Sequence, residues 1–348
     1  MFELFYFDGY NHNIFYSEHN YYASISEYYA EIFMLKVIIV GYDTMFANLI
    51  TGCIAAGCEP VGVLRYEKVR YNPFILAIKD FVLPSKDKSF INGYNLHEIN
   101  ARSVNSKKFR NELLKMNADI VLIGSWGEKF DKKTADIPKI GTINCHSSLL
   151  PKYRGPNPYA AVILNNEQKT GVTFHLVTDN YDSGAILKQT EVDVKPDDTG
   201  LSLRERCASV ARESVTELLR ELSSEIVVPV NQNEEKATYY PQFSEKDLLL
   251  NFDESSSEID RRIRAFTPWT KCFIPHKNCY YTFGKHKIID EKSEAKNGEL
   301  LEKSSDELLI SCGDNKKICF SNVKIYRKNI LFTKLYTAFV LKKGDIMV

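Results

Sequence analysis

Two side chains that can form hydrogen bonds lie two residues apart at the start of the stretch 144–155, NCHSSLLPKYRG. They end a predicted strand, GTINCH at 141–146, and the period of two in a strand places Asn144 and His146 on one face. Polar groups at the end of a strand lie where α/β proteins form their sites. An isolated Asn-x-His pair is more often structural, so the neighbouring segments must decide between a turn and an active site.

A second unit downstream supplies two more groups of this kind. The stretch 170–187, TGVTFHLVTDNYDSGAIL, predicts a strand followed by a loop and contains His175 and Asp182. An imidazole and a carboxylate beside Asn144 and His146 would complete a set of hydrogen-bond donors and a proton acceptor, as general acid–base chemistry requires.

Short apolar runs alternate with helix-patterned segments from residue 36 onward. The predicted strands are 36–41, 60–66, 118–124, 141–146, 170–177 and 185–194, and the predicted helices are 45–57, 106–116 and 201–222. This alternation predicts an α/β fold with a Rossmann-like, mostly parallel sheet and helices on both faces. The loop after the first strand, GYDTMFAN, lacks the G-x-G-x-x-G pattern, which disfavours a nicotinamide cofactor.

A different pattern begins near residue 241. It predicts one helix at 255–265, with Ser255 or Ser256 as its cap, and short strands around 279–290, 307–312 and 317–325. We therefore expect a catalytic domain at 34–225, a linker at 226–240 and a small C-terminal β domain at 241–348. The last of these contains 19 basic and 15 acidic residues, a weaker positive charge than nucleic-acid-binding domains usually show.

The overall composition is typical of a soluble protein with two domains. The chain has 348 residues, with 45 basic and 45 acidic side chains, so no global charge attracts it to nucleic acid or to a membrane. The eight cysteines form no C-x-x-C pair, and we expect reduced, mostly buried thiols and no metal site. These features predict a cytoplasmic protein.

Residues 1–33 differ from the rest in being crowded with Tyr and Phe. They contain no Lys or Arg, unlike the basic start of a signal peptide. Met34 directly precedes the first predicted strand. We expect folding to begin at Met34, with 1–33 either a weakly ordered extension or an over-long start assignment.

Taken together, the motifs resemble the folate-dependent formyltransferase family, which includes glycinamide ribonucleotide formyltransferase, methionyl-tRNA formyltransferase and the sugar N-formyltransferases. The motifs are Asn144-x-His146-x-Ser148-Leu149-Leu150-Pro151, QKTGVT at 168–173, Asp182 in a D-x-G turn, DDTGLSL at 197–203 and IRAFTPW at 263–269. The resemblance covers 34–348 and implies a formyltransferase fold with an OB-like C-terminal domain. It also implies N10-formyltetrahydrofolate as the formyl donor and a primary amine as the acceptor.

The resemblance implies that Asn144, His146 and Asp182 are the catalytic residues. An amide N–H of Asn144 and an N–H of His146 could stabilise the tetrahedral oxyanion, and such donors contribute about 3–4 kcal/mol each in acyl-transfer sites. Asp182 could take the proton of the attacking amine through a water. His175 is expected on the acceptor side, where it would position Asp182 or the water, although a purely structural histidine remains an alternative.

Other contacts are expected from their places in the motifs. The folate should lie along the exit of the third strand, and its expected contacts are Ile123, Gly124, Trp126, Gly127 and, in a later loop, Asp179; Trp126 could instead belong to the core. The expected acceptor contacts are Ser148, Tyr153, Arg154 and Gly155. Arg154 could meet a phosphate or a carboxylate or remain solvated, and for Ser148 we favour a hydroxyl that stabilises the turn.

The identity of the acceptor amine depends on the stretch 65–90. The tRNA enzymes of this family carry an Arg-Pro-x-Gly-Arg-Gly-like basic loop after the second strand, and 65–90 contains no glycine and no R-G-R cluster. Because nucleic-acid affinity depends on phosphate contacts, this favours a nucleotide-linked amino-deoxysugar over initiator Met-tRNA, which would be the tRNA partner under the alternative.

Two further alternatives are a formyltetrahydrofolate hydrolase and a non-catalytic folate-binding module. The first usually carries an N-terminal regulatory domain, for which 1–33 is too short. The second is disfavoured because Asn144, His146 and Asp182 are all present. A homodimer is compatible with the small β domain, which could dock against a partner.

Overall fold

The structure is a computed structural model that describes residues 34–224, 226–277, 279–326 and 341–347. The extension predicted at 1–33 lies outside the described residues, as does the segment 327–340 near the end of the predicted β domain.

A six-stranded sheet forms the centre of the first domain. Its strands are β1 (Lys36–Gly41), β2 (Glu59–Arg65), β3 (Ile120–Gly124), β4 (Gly141–His146), β5 (Lys169–Leu176) and β6 (Ile186–Asp193). Their order across the sheet is β2-β1-β3-β4-β5-β6. The pairs from β2 to β4 are parallel, and β5 runs antiparallel to both of its neighbours. The predicted mostly parallel sheet is confirmed, with one reversed strand that the sequence pattern did not predict.

Helices cover both faces of this sheet. The described helices are α1 (Asp43–Ala55), α2 (Glu67–Arg70), α3 (Pro73–Val82), α4 (Lys86–Gly93), α5 (Lys107–Lys115), α6 (Lys132–Ala135), α7 (Pro158–Leu164), α8 (Gly200–Ser223) and α9 (Ser256–Phe266). Alternate residues of β1 enter different cores: Val37 and Ile39 join the one built with α1 and α8, and Ile38 and Val40 the one built with α5. This burial on both sides explains why β1 is apolar throughout.

The C-terminal part consists of short antiparallel strands after α9. They are β7 (Ile274–His276), β8 (Cys279–Thr282), β9 (Lys285–Ile289), β10 (Leu300–Lys303), β11 (Glu307–Ser311), β12 (Lys317–Ser321) and β13 (Lys324–Tyr326). They form a four-stranded sheet, β10-β11-β12-β9, and a three-stranded sheet, β13-β8-β7. The predicted β-rich domain is confirmed, and Ser255 rather than Ser256 caps α9 through a capping box with Glu258.

All eight cysteines are free, and seven of them are buried. Among the helices of the described ranges, none has the length and apolar character that crossing a bilayer demands.

The segment 226–240, expected as a linker, lies along the catalytic domain. Val230 forms a β-bridge with Ile186, and Tyr239 forms one with Arg154. A 3-10 turn at Glu234–Lys236 lies between these two contacts. The segment therefore packs beside the loop that follows β4, where the candidate site residues lie.

The stretch 65–90 folds into α2, α3 and α4 around one buried charge. Arg65 ends β2, is fully buried and pairs with Glu67, Asp80 and Glu98. A buried charge of this kind needs such partners, because an unpaired one would carry a large desolvation cost. The network fixes the three short helices to the end of the sheet.

Candidate active site

Asn144 and His146 lie on one face of β4, and the nine-residue loop between β5 and β6 brings Asp182 to them. Asp182 Oδ1 is 3.3 Å from Asn144 Nδ2 and 3.6 Å from His146 Nδ1. His175 lies directly opposite Asn144 in the antiparallel pair of β4 and β5. The structure thus brings together the four polar residues that the sequence motifs singled out.

Hydrogen bonds to backbone carbonyls define the tautomers of the two histidines. His175 Nδ1 is 2.9 Å from the carbonyl oxygen of Leu176, which can only accept, so Nδ1 carries the hydrogen. Its Nε2 therefore accepts a hydrogen bond from the Asn144 amide at 3.1 Å. His146 Nε2 donates to the Tyr153 carbonyl at 2.8 Å, so in neutral His146 the Nδ1 facing Asp182 is an acceptor.

The charges of this cluster follow from burial and from its internal contacts. Burial lowers the pKa of His146 more than the attraction of Asp182 raises it, so the imidazole is neutral at pH 7. Burial acts to raise the pKa of Asp182, but His146, His175 and the Gly155 N–H outweigh it and hold that pKa well below its usual range. At neutral pH the cluster therefore contains one amide donor, a carboxylate and a neutral imidazole.

The turn that carries Asp182 is held by specific contacts. Asp182 has a positive φ of 52°, and its Oδ2 accepts the Gly155 N–H at 2.9 Å. Gln232 Nε2 donates to the carbonyls of Asp182 and Gly184, both at 2.8 Å. A Cβ on Gly184 would lie 1.8 Å from the Leu176 carbonyl oxygen, so the D-x-G turn requires a glycine there.

Arg154 meets a carboxylate, but one that belongs to the chain itself. Its guanidinium forms a two-pronged pair with Glu234, at 2.7 and 2.9 Å, and also donates to Gln232 Oε1 at 2.8 Å. Only 9% of Arg154 is exposed. In this structure Arg154 therefore bonds to the glutamine that holds the Asp182 turn, and its contact with the acceptor stays a prediction.

Three other expected acceptor contacts shape the same loop. Ser148 is fully buried and donates to the Lys152 carbonyl at 2.7 Å, which is the turn-stabilising role favoured above. Tyr153 is buried, stacks on Tyr240 and donates to Glu167 at 2.6 Å. Gly155 has a φ of 113°, and a Cβ there would lie 2.1 Å from the Tyr240 carbonyl oxygen. Ser148 and Tyr153 therefore point into the protein, and Gly155 contributes its N–H to Asp182.

We predict that Gln232→Ala lowers kcat about tenfold, with a much smaller change in the KM for either substrate. The substitution leaves two turn carbonyls and part of Arg154 without partners, which loosens Asp182 at a cost of about 1–3 kcal/mol. Steady-state kinetics would show the effect. Gln242→Ala is the matched control, because Gln242 is exposed and bonds only to the side chain of Asn157 among the contacts described. An effect of Gln232→Ala confined to the acceptor KM would instead assign this group to acceptor binding.

A cleft of about 480 Å³, counted with its open mouth, lies beside the cluster. Asn144, His175 and Asp182 line one side, and Ile123 and Trp126 from the exit of β3 line another. Trp126 forms an edge-on contact with Tyr66, and its indole Nε1 is buried with no hydrogen-bond partner in the structure as described. A buried donor without a partner in a cleft wall fits a ligand that brings an acceptor atom.

The other expected folate contacts lie outside the cleft wall. Gly124 packs against α1, where a Cβ would come within 2.5 Å of Leu49 Cδ1. Gly127 packs against Tyr66, whose hydroxyl would lie 2.8 Å from a Cβ. Asp179 is exposed, next in the chain to the lining residues Thr178 and Asn180. Gly124 and Gly127 therefore permit close packing around the cleft, and Asp179 lies at its edge.

Two family models match this chain. Residues 37–219 match the formyl transferase model, and residues 242–337 match the model of the formyl transferase C-terminal domain. The chain belongs to the formyl transferase family. It is therefore a folate-dependent formyltransferase with N10-formyltetrahydrofolate as its co-substrate, as the motifs implied.

Relatives of two kinds are similar to this formyltransferase. The methionyl-tRNA formyltransferase of Clostridioides difficile is 30% identical over 282 residues, which cover 81% of this chain and 89% of that protein. The one of Buchnera aphidicola from Acyrthosiphon pisum (strain Tuc7) is 27% identical, covering 86% and 96%. Among solved structures, an N-formyltransferase of Helicobacter canadensis in complex with folinic acid and dTDP-3-aminofucose superposes with a TM-score of 0.61 and 20% identity, covering 84% of this chain and 100% of that one.

The residues that sequence reasoning missed in this formyltransferase lie in 226–240. Gln232, Glu234 and Thr238 hold the loop after β4, Thr238 by accepting the Tyr153 N–H at 2.8 Å. Their only signal in the sequence is a polar run, NQNEEKAT, which is equally typical of a solvated linker.

Proposed function

We propose that this formyltransferase transfers the formyl group of N10-formyltetrahydrofolate to the amino group of a nucleotide-linked amino-deoxysugar. For the transfer itself, the observation that carries the proposal is the cluster of Asn144, His146 and Asp182: Asn144 and Asp182 line one cleft, and the buried His146 lies 3.6 Å from Asp182. For the acceptor, it is the structure of the stretch 65–90, whose basic side chains are mostly paired within the protein. The reduced thiols expected from the cysteine pattern favour a cytoplasmic location for this reaction.

Asn144 is the group best suited to stabilise the oxyanion. One amide N–H is fixed by His175 Nε2 at 3.1 Å, which sets the orientation of the amide. The other makes a longer contact of 3.3 Å with Asp182, and because Asn144 and Asp182 both line the cleft, a substrate oxygen could replace the carboxylate as its acceptor. His175 therefore acts as a positioning residue for Asn144.

His146 and Asp182 together manage the proton of the reaction. The amine loses a proton when its nitrogen bonds to the formyl carbon, and the folate nitrogen gains one when its bond to that carbon breaks. Neutral His146 offers Nδ1 as an acceptor, and the resulting imidazolium would lie 3.6 Å from the Asp182 carboxylate. His146 would therefore act first as the base and then, once protonated, as an Nδ1–H donor. Asp182 would either stabilise the charged form of His146 or take the proton through a water.

The residues of the cleft fit the folate co-substrate. Its ring system brings carbonyl and ring-nitrogen acceptors, and the unpartnered Trp126 Nε1–H in the cleft wall can donate to one of them. The side chain of Ile123 and the aromatic ring of Phe130 provide apolar surface in the same cleft. When bound there, the folate supplies the formyl group.

We predict that Trp126→Phe raises the KM for N10-formyltetrahydrofolate about 5–20-fold, with kcat nearly unchanged. The ring is kept and one donor is lost, which costs about 1–2 kcal/mol of binding, whereas folding loses no hydrogen bond. The control is Trp269→Phe at the other tryptophan of the chain, which is 49% exposed. An unchanged folate KM in Trp126→Phe would remove the indole from the binding contacts.

The stretch 65–90 supports a small acceptor rather than a nucleic acid. Of its six basic residues, four are paired with carboxylates: Arg65, Lys68, Lys79 and Lys88. Its outer surface is the apolar face of α3. Phosphate contacts need free cationic groups, so this stretch is poorly equipped to bind an acceptor stem. The Helicobacter canadensis enzyme, whose fold is similar, is in complex with dTDP-3-aminofucose, which supports an acceptor of this kind.

The second candidate acceptor is initiator Met-tRNA. It is favoured by the names of the curated relatives at 27–30% identity, which are methionyl-tRNA formyltransferases. Formyl transfer from N10-formyltetrahydrofolate to a panel of nucleotide-linked 3-amino and 4-amino deoxysugars, assayed beside charged initiator tRNA, distinguishes the two. We expect turnover of at least one amino sugar; turnover of the tRNA alone would overturn the proposed acceptor while leaving the formyl transfer intact.

A further inference from the structure

Helix α3 presents a broad apolar face to solvent. Phe74, Ile75, Ile78, Phe81 and Val82 are between 51% and 90% exposed, and Leu83, which follows the helix, is 75% exposed. Leu76, by contrast, is buried at 3% and faces the protein. The spacing of the exposed residues at i, i+1, i+4, i+7 and i+8 places them on one side of the helix, centred on Ile78.

This face is large for a surface that stays in water. An exposed aromatic side chain presents about 150–250 Å², and the six residues together present an area on the order of 800 Å². Monomeric proteins rarely expose more than about 300–600 Å² of contiguous apolar surface. A standard protein interface buries about 800 Å² on each partner, so the α3 face has the size of one half of such an interface.

The charges around α3 favour a second copy of this chain as the occupant. Lys79 is paired with Glu67 at 2.7 Å, and Asp80 is paired with the buried Arg65, so the charges within the helix are turned away from the apolar face. The whole chain has equal numbers of basic and acidic residues, and two copies therefore do not repel each other by net charge. A membrane surface would instead call for a cluster of free lysines and arginines around the apolar residues, and in 65–90 only Arg70 and Lys86 are without a carboxylate partner among the described contacts.

We propose that the α3 face is a homodimer interface, in which the α3 helices of two copies pack antiparallel across a two-fold axis. Ile78 lies near the middle of the face and would contact its counterpart close to the axis. Phe74 of one copy would then face Phe81 and Val82 of the other, because the exposed residues are arranged nearly symmetrically about Ile78. This surface is distinct from the catalytic cluster and does not depend on the identity of the acceptor.

Sedimentation of the full chain tests the proposal directly. The wild type should sediment at twice the chain mass of 39.9 kDa at micromolar concentration. Ile78→Glu combined with Phe81→Glu should raise the dimer dissociation constant by about 100-fold or more, because it places charges in an apolar interface. The matched control is Leu114→Glu, at a residue of α5 that is 64% exposed, and it should leave the dimer intact. Circular dichroism of each variant verifies the fold.

A crosslinking experiment tests the same interface without introducing charged side chains. Ile78→Cys should form a disulfide-linked dimer under mild oxidation by diamide, whereas Leu114→Cys should not, since Leu114 is exposed but is not part of the α3 face. A monomeric wild type, or a dimer that the double variant preserves, would overturn the proposal. A wild type that is monomeric and dimerises only when residues 1–33 are removed would also overturn the proposal. A monomeric wild type that binds vesicles of anionic phospholipid through this face would overturn it as well.

Discussion

Replacing Asn144 by alanine should lower kcat by about 10²–10³, equivalent to about 3–4 kcal/mol of transition-state stabilisation. In the structure one N–H of its amide bonds to His175 Nε2, which orients the amide, and the other lies 3.3 Å from Asp182 beside the cleft that Asn144 lines. The KM values should change far less than kcat, because the oxyanion forms only during the reaction. Steady-state and single-turnover formyl transfer would measure the effect.

The control for this prediction is another asparagine whose side chain bonds only locally. Asn165 follows α7 and donates to the Ala161 carbonyl at 2.7 Å, so Asn165→Ala should leave kcat unchanged. The stability of Asn144→Ala should remain close to that of the wild type, since its partners are side chains within one small cluster. A drop in kcat of less than about threefold in a folded Asn144→Ala would contradict the role of oxyanion donor.

The variant His175→Ala tests whether His175 acts by orienting the Asn144 amide or by contacting the substrate itself. If His175 acts by fixing the Asn144 amide, its loss should lower kcat by about tenfold, less than the loss of Asn144 itself. The double variant should then be no slower than Asn144→Ala alone, because nothing remains to be oriented. Additive effects would show that His175 contributes independently of Asn144.

Local sequence rules were sufficient for the strands that carry the site. The run KVIIVG predicts β1 to the residue, because a strand that is buried on both faces must be apolar throughout. The period of two in GTINCH predicts that Asn144 and His146 share a face, and the structure confirms this. Such features depend on a few consecutive residues, which is why they can be read from the sequence alone.

The rest depends on contacts between distant segments. The reversed direction of β5 pairs His175 with Asn144, and no local pattern distinguishes a parallel from an antiparallel neighbour. Gln232 reaches a turn 50 residues earlier in the chain, and its sequence context is that of a linker. The pairing of Arg154 could not be predicted for the same reason: its carboxylate partner, Glu234, lies 80 residues away.

Even the role of His146 changes once its backbone partner is known. A sequence motif identifies the residue type but not which ring nitrogen carries the hydrogen. The bond from Nε2 to the Tyr153 carbonyl leaves only Nδ1 for chemistry, and Nδ1 can donate only after His146 is protonated. The expected oxyanion donor is therefore proposed to act as a base in the resting site, and the two roles differ in their pH dependence.

Asp182→Asn should lower kcat by about 10²–10⁴ and shift the acidic limb of the pH profile to lower pH. In the wild type, burial depresses the pKa of His146 below 6.5 and the attraction of Asp182 partly opposes this shift. If the free base of His146 is the active form, kcat/KM rises as pH increases through that pKa. Above that pKa the titration of His146 causes no further change in kcat/KM. Removing the carboxylate charge removes the opposing attraction, so the pKa of His146 and the limb should both move down.

Histidine NMR measures this pKa without relying on turnover. The chain has seven histidines, and His146→Asn assigns the relevant resonance. The acceptor amine also titrates, but equally in the wild type and in Asp182→Asn, so the shift between the two isolates His146. If instead the imidazolium were the active form, acting as an N–H donor from the start, activity would fall as pH rises through the same pKa. The sign of that slope decides between the two roles, because both require the same residue in the same place.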